Sequence, residues 1–421
     1  MNLDFSDDQK FLQDEAKKFF DKEGGLANAR AVMDNSLEGD EKLWQKIVEL
    51  GWTGVRIPEA YDGLGLGHLE LCVIAEELGR SLAPVPFSSS VYFFTEALIK
   101  FANEEIKSEL LPKLVSGDAV GTYGIAEDTH QATESNLNVT ATSEKISGIK
   151  IAVPDAGIAS HMILVVKSES GTDLRLVDLD DTSVTVTPQK NLDTSRAFFK
   201  VEFKDTPSKL LGETGKGWTY IQHLLDQAAV LFAFEQVGGS QAALDMAKAY
   251  SMERFAFGRQ IGSYQAIKHK LADMYIAVTL AKSNCYYGAW ALSSESAELP
   301  LAAATARVSA PSGRAKRTVR VSTKTLSIVL RSEVGVPGAQ CRAVPSSHRR
   351  VVHSSLDGQV TAVATRICIA TNIGIPGCGH RRWQLCRNRR GTVHARVDDD
   401  QAVRICRYDV KVARAHVYCN P

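Results

Sequence analysis

Apolar residues recur at three- and four-residue intervals from the start of the chain. Ser6 precedes acidic residues and then Phe11, Leu12, Ala16, Phe19 and Phe20, a stripe on one helical face with a capping residue before it. The same period predicts helices over 43–50, 69–81, 90–102 and 104–115. Between them, IPEAYDGLGLG from Ile57 to Gly67 is a Gly-rich loop that closes one helix and admits the next. The first 115 residues read as an all-α unit.

From Gly121 the period shortens to that of strands. Seven runs (TYGIAE, NVTATS, KISGIKIAV, HMILVV, DLRLVDL, SVTVTP and AFFKVEF) are separated by Gly, Asp, Ser and Pro turns, which predicts a compact antiparallel barrel or sandwich. After LLGETGKGW the helical period returns from Trp218 to about Tyr250 and from Gln260 to about Leu292, and a third helix starts near Leu301. Helices this long bury their stripes by forming a bundle, with Leu224, Leu225, Val230, Leu231 and Ala242 as core positions. The fold class is α+β multidomain. Its predicted parts are an N-terminal helical domain over 1–118, a middle β domain over 119–212, a C-terminal helical bundle over 213–310 and an atypical tail over 311–421.

Composition changes this picture at one place. With 421 residues, 44% hydrophobic and 23% charged, the chain suits packed domains and not disorder. Lys+Arg and Asp+Glu both number 49, so the whole-chain charge gives no argument for nucleic acid or an anionic membrane. That balance hides an asymmetry. Residues 311–421 hold 17 Arg and 3 Lys against 6 acidic residues, a charge of +14 that residues 1–310 offset. All 15 Phe precede Gly258, and 6 of the 8 Cys follow Pro311. A shift of reading frame near the codon for Ala310 explains these features together. The competing readings are a genuine basic appendage for nucleic acid or acidic lipid, and a metal site from Cys378, His380 and Cys386, whose spacing is wrong for paired ligands. A shifted frame would also deprive the bundle of a partner helix and leave Leu224 and Val230 in water. The acidic amino terminus does not look like a signal peptide, and no run approaches the roughly 18 apolar residues of a membrane span. Only Cys72 and Cys285 occur in the first 310 residues, so a reducing cytoplasm is expected.

The segment ERFAFGRQIGSYQAIKHKLADM, Glu253 to Met274, resembles the acyl-CoA dehydrogenase family. Its pattern there is Arg, two residues, Phe-Gly, then Gln some eleven residues after the Arg. Arg254, Phe257, Gly258 and Gln265 match it position by position. A solvated basic turn between two helices would look similar in this segment alone. Three further matches support the resemblance: Pro58 to Arg80, Leu210 to Trp218, and Phe234 to Tyr250, where Gly238 and Gly239 would let helices approach closely. The order α, β, α agrees as well, and the likeness covers residues 1 to about 310.

The resemblance implies an FAD flavoprotein that oxidises an acyl-CoA thioester to the trans-2-enoyl-CoA and passes electrons to an electron-transfer flavoprotein. It implies a homo- or hetero-oligomer, as a dimer of dimers. Arg254 would pair with pyrophosphate oxygens of a neighbouring protomer's FAD, Phe257 would lie against the isoalloxazine or its chain, and Gln265 would hydrogen-bond the cofactor. In the β domain, YGIAEDTHQATES from Tyr123 keeps the family's Glu at Glu127 but has Ala126 for a Thr. After Gly148 and Lys150, the chain has Ala152, Val153 and Pro154 where Trp-Ile-Thr is usual. Tyr123 marks the first of these strands, and backbone amides of Ile125, Ala126 and Val153 would serve the flavin. No catalytic base is assigned. Ala228 falls where one family position has Glu, Asp226 lies about 200° round the helix from it, and nothing after Ala310 resembles the other position. A non-catalytic or half-site subunit, completing the flavin site of a partner dehydrogenase, is therefore the alternative, together with an inactive frameshifted product.

Overall fold

The structure, a computed structural model, describes residues 5–310 except positions 36, 129, 131 and 192, together with strands at 383–387, 393–397 and 405–408. The chain divides into two compact units, residues 1–341 and 342–421.

Helix α1 (Asp7–Glu23) starts where the cap signal places it. The Ser6 hydroxyl accepts from the Gln9 amide at 3.2 Å and the Gln9 side chain accepts from the Ser6 amide at 2.9 Å, a reciprocal capping box. Helix α2 (Leu26–Asn35) is an addition to the sequence reading, because its buried positions Ala29 and Val32 are too few to show a period. Helices α3 (Glu41–Glu49) and α4 (His68–Ser81) follow. The single helix predicted over 90–102 is a π-helical turn, Ser88–Thr95, running into α5 (Glu96–Phe101). Every residue of Ser88–Thr95 is buried, so no amphipathic face fixes the ordinary period there. Helix α6 (Glu104–Ser116) is capped by the Asn103 side chain.

The Gly-rich loop from Ile57 to Gly67 is anchored by Glu96, which is 0% exposed. Its carboxylate takes Arg56 Nε at 2.8 Å and faces His68 Nε2 at 3.4 Å, while Arg56 Nη1 donates to the Leu66 carbonyl at 2.8 Å. Gly63 must be glycine here, since a Cβ would stand 2.0 Å from the Ile57 carbonyl oxygen.

The middle unit contains β1 (Gly121–Gly124), β2 (Thr140–Thr142), β3 (Lys145–Pro154), β4 (His161–Ser168), β5 (Gly171–Asp178), β6 (Val184–Gln189), β7 (Phe198–Pro207) and β8 (Lys209–Leu211). All seven predicted runs contain strands; β8 is too short to show alternation. They form one sheet in the order β6-β7-β3-β2-β4-β5-β8, with β1 paired to β4. The purely antiparallel barrel or sandwich of the sequence reading is corrected in two respects. Strand β1 pairs parallel to β4, Gly121 opposite His161 through Gly124 opposite Leu164, and β2 meets β4 in parallel at Thr140 and Lys167. The end strands β6 and β8 do not pair with each other among the described residues, so the ladders show no closed barrel. Alternation of polar and apolar residues reports which face is buried but not strand direction.

The bundle is built from α7 (Gly217–Glu253), α8 (Gln265–Ser293) and α9 (Leu299–Ser309). Between α7 and α8 stands a two-stranded hairpin, β9 (Phe255–Ala256) and β10 (Arg259–Gln260). Leu224, Val230 and Leu231 are buried, while Leu225 and Ala242 are half-buried and Ala243 takes the core position. The stripe expected to lie in water is therefore covered: Gly288 of α8 sits in the angle between Val230 and Ala306 of α9. In the second unit, β11 (Trp383–Arg387), β12 (Val393–Val397) and β13 (Ile405–Tyr408) form an antiparallel sheet. The remainder of the tail, with Cys378 and His380, lies outside the described residues, as do the readings placed on it.

Helices α4 and α7 cross at two glycines. A Cβ on Gly79 would fall 1.9 Å from the Glu235 carbonyl oxygen, and one on Gly238 would fall 1.9 Å from that of Glu76. Each helix thus seats a carbonyl in the other's missing side chain. Gly79→Ala or Gly238→Ala must push the helices apart, so each is expected to destabilise the protein by about 3 kcal/mol, measured as a fall in the denaturation midpoint. Stability should also fall in acid. Burial raises the proton affinity of Glu96, but His68 and Arg56 outweigh it and hold the carboxyl at about 2. Its contribution, about 3 kcal/mol, is fully present above the ordinary value of 4.5 and lost as pH falls from there toward 2. Glu96→Gln should flatten that limb of the stability curve.

Candidate functional site

The predicted site residues fall into two groups. The first surrounds the carboxy-terminal end of β1. Tyr123, Ile125, Ala126 and Val153 are all buried. The Tyr123 ring stacks on Phe93, with centroids 3.8 Å apart and planes at 20°. Its phenol is enclosed, and burial raises its proton affinity far above the ordinary range. After Gly124 the chain leaves the ladder, and the Ala126 carbonyl accepts from the Ile151 amide at 2.8 Å. Opposite it, β3 changes register between Lys150 and Val153. Ala152 adopts a positive φ of 51° within this bulge, and the Gln189 side chain accepts from its amide at 2.7 Å. A non-glycine residue rarely takes that conformation without a constraint on it. Gln189 carries no sequence signal that would have identified it.

The second group sits at the hairpin joining α7 to α8. Arg254, Phe257 and Gln265 are exposed, Phe257 at 98%. Phe257 and Gly258 form the two-residue turn, with φ of 51° and 77°, the geometry of a type I′ hairpin turn. The turn is pinned from behind: the Ile261 amide donates to the Arg254 carbonyl at 2.8 Å, and Tyr264 Oη donates to the Ala256 carbonyl at 2.8 Å. The Arg259 guanidinium lies 4.1 Å over the Tyr264 ring. The turn therefore holds a large apolar ring in solvent in a strained conformation. These residues fit a ligand with a flat aromatic system and a phosphate chain.

One protomer does not bring the groups together. Glu235 of α7 accepts from Tyr92 Oη at 2.8 Å, and the neighbouring Phe93 stacks on Tyr123, so Glu235 marks where α7 passes the β1 region. Arg254 lies 19 residues further, about 28 Å along the helix axis.

The carboxylates around this junction differ in their partners. Asp155 pairs with Arg196 at 3.0 Å and accepts from Ser89 Oγ at 2.6 Å. Glu76 pairs with Lys282 at 2.8 Å, and Glu77 pairs with Arg80. Glu235 makes its hydrogen bond to a phenol, and burial raises its proton affinity against the pull of Arg196 and that hydrogen bond. Ala228 is fully buried and places a methyl group in the core. Asp226 shares a stripe of α7 with exposed Thr219, Gln222 and His223. No group of His, Cys, Asp and Glu among the described residues is arranged to hold a metal ion, and no helix among them is long and apolar enough to cross a membrane.

Comparison with known proteins bears on the family and the fold. Residues 6–118 match the family model for the acyl-CoA dehydrogenase N-terminal domain, and residues 215–318 match that for the C-terminal domain. A probable acyl-CoA dehydrogenase of Bacillus subtilis, YngJ, is 29% identical over 307 residues, covering 69% of this chain and 80% of that protein. Butyryl-CoA dehydrogenase from Megasphaera elsdenii shares the fold at a TM-score of 0.72 and 21% identity, over 88% of this chain and all of that one. A chain of the ChsE4–ChsE5 complex from Mycobacterium tuberculosis does so at 0.70 and 21%, over 87% of this chain and 99% of its own. The three helical and β units and the matched halves on either side of the β sheet lead to one conclusion: this chain belongs to the acyl-CoA dehydrogenase family, FAD flavoproteins that oxidise acyl-CoA.

Proposed function

We propose that the protein oxidises an acyl-CoA thioester to the trans-2-enoyl-CoA, passes the electrons to an electron-transfer flavoprotein, and works as an oligomer in which one subunit's hairpin completes the flavin site of another. The observation that carries this reading is Phe257, held in a strained turn and left in water on the hairpin that follows Arg254. That exposure makes physical sense when a second subunit's cofactor covers the ring. The buried free thiols Cys72 and Cys285 suit a reducing cytoplasm.

FAD, when bound, supplies the acceptor for a hydride equivalent from the thioester's β-carbon. The chain's own residues would hold it in two places. Backbone amides of Ile125, Ala126 and Val153 would face the ring system from the β unit, with the Ala152 bulge fixed by Gln189. Arg254 of the other subunit would fork onto the pyrophosphate, Phe257 would shield the ring system or its chain from water, and Gln265 would hydrogen-bond the cofactor.

The buried methyl of Ala228 favours a second reading, in which this chain is a half-site subunit and a partner dehydrogenase provides the base. A chain of this fold occurs in the ChsE4–ChsE5 complex, a precedent for assembly with a different protein.

Three measurements test these readings. Arg254→Ala combined with Gln265→Ala should weaken FAD binding at least ten-fold with no change in helix content; unchanged affinity would remove the hairpin from the site. Phe257→Asn should separate stability from binding, because Asn tolerates positive φ: the protein should gain about 1 kcal/mol while FAD binds more weakly. Flavin bleaching by acyl-CoA in the purified chain alone supports the enzyme reading, whereas bleaching only after a partner is added supports the half-site reading.

A further inference from the structure

Two charged residues of the β region have no part in the reading above, and the side chains of both, Lys150 and Glu127, are buried. Lys150 leaves β3 with its side chain 0% exposed. Its stem runs past Gly124, where an added Cβ would stand 3.3 Å from the lysine Cγ. Its ammonium donates to Glu127 Oε1 at 2.6 Å, the Val165 carbonyl at 2.7 Å and the Ile125 carbonyl at 3.3 Å. Three protons thus meet three acceptors. Glu127 spends its remaining capacity on the amides of Asn138 and Val139, the latter at 3.2 Å.

A buried ion pair of this kind contributes little stability over an apolar replacement, because desolvation offsets the attraction. What it supplies is geometry. Strand β1 stops pairing with β4 at Gly124, and the next residues, Ile125 and Ala126, are those expected to present amides to the flavin. Lys150 grips the Ile125 carbonyl and the Glu127 carboxylate on either side of Ala126, and ties both to β4 through Val165.

We propose that Lys150 and Glu127 are positioning residues for the cofactor: their buried pair fixes the backbone of Ile125 and Ala126 so that its amides face the flavin ring system. The inference rests on the reading that the flavin lies at the end of β1. The charged group acting on Lys150 is Glu127; from β1 and β4 it otherwise meets the two carbonyls. Burial pulls the Lys150 amine down to about 8 against the pull of Glu127, so the ammonium that holds the grip is largely lost by pH 9.

The test uses the full chain as wild type, Lys150→Met, Lys150→Arg and Glu127→Gln. FAD titrations at pH 7 and pH 9 would be paired with amide hydrogen exchange on the FAD-free protein. Lys150→Met is expected to stay folded, to bind FAD at least ten-fold more weakly, and to exchange faster at Ile125, Ala126 and Val139. Wild-type FAD affinity should drop several-fold from pH 7 to pH 9, and Lys150→Arg, which keeps its charge, should lose that step. If Lys150→Met does not fold, Glu127→Gln, of matching shape, carries the same expectations. Wild-type FAD affinity in the variants, with altered melting alone, overturns the proposal and leaves the pair a structural one. Failure of the wild type itself to bind FAD refutes the proposed function instead, and the exchange data still decide whether the pair orders Ile125 and Ala126.

Discussion

The crossing of α4 and α7 fixes how the N-terminal helices meet the bundle. Two backbone carbonyls occupy the volume that side chains at Gly79 and Gly238 would fill, which brings the helix axes as close as backbones allow. That contact places Glu235 against Tyr92 and Phe232 against both Tyr92 and Phe93. Through the Phe93–Tyr123 stack it also settles where the β sheet meets the helices. Two contacts of a glycine with a backbone carbonyl are thereby linked through aromatic packing to the end of β1.

Charge is used differently in the two halves of this framework. In the helical part, Glu96 collects Arg56 and His68 to close the Gly-rich loop, and where the helices meet the sheet Arg196 bridges Asp155 to the Ser88 hydroxyl and the Val85 carbonyl. In the sheet, Lys150 and Glu127 work through backbone groups. Both devices fix segments that regular secondary structure leaves unpaired, where a specific polar contact has the most geometric effect.

The candidate site is divided along α7. A helix of 37 residues separates the β1 platform from the hairpin that carries Arg254 and Phe257, and its length alone prevents a protomer from closing the site on itself. A strained exposed aromatic stands at one end and buried Ile125, Ala126 and Val153 at the other. The exposed Tyr275, Ile276 and Leu280 of α8 add apolar surface on the same helical hairpin.

Much of this was legible in the residue order. Periodicity located α1, α4, α7 and every long strand, because burial on one face imposes a period that survives without tertiary context. The hairpin motif and the β1 residues were picked out by the resemblance of their residue order to the family pattern. Other features required the fold. The parallel pairing of β1 with β4 depends on direction, which alternation does not encode. The π-turn at Ser88–Thr95 arises where every side chain is buried and no stripe sets the period. Gln189, Tyr92, Glu235 and the Lys150–Glu127 pair derive their meaning from neighbours 23 to 143 residues away. Sequence determined which residues have the capacity for this chemistry; tertiary contact decided which capacities are spent inside the protein and which remain for a ligand.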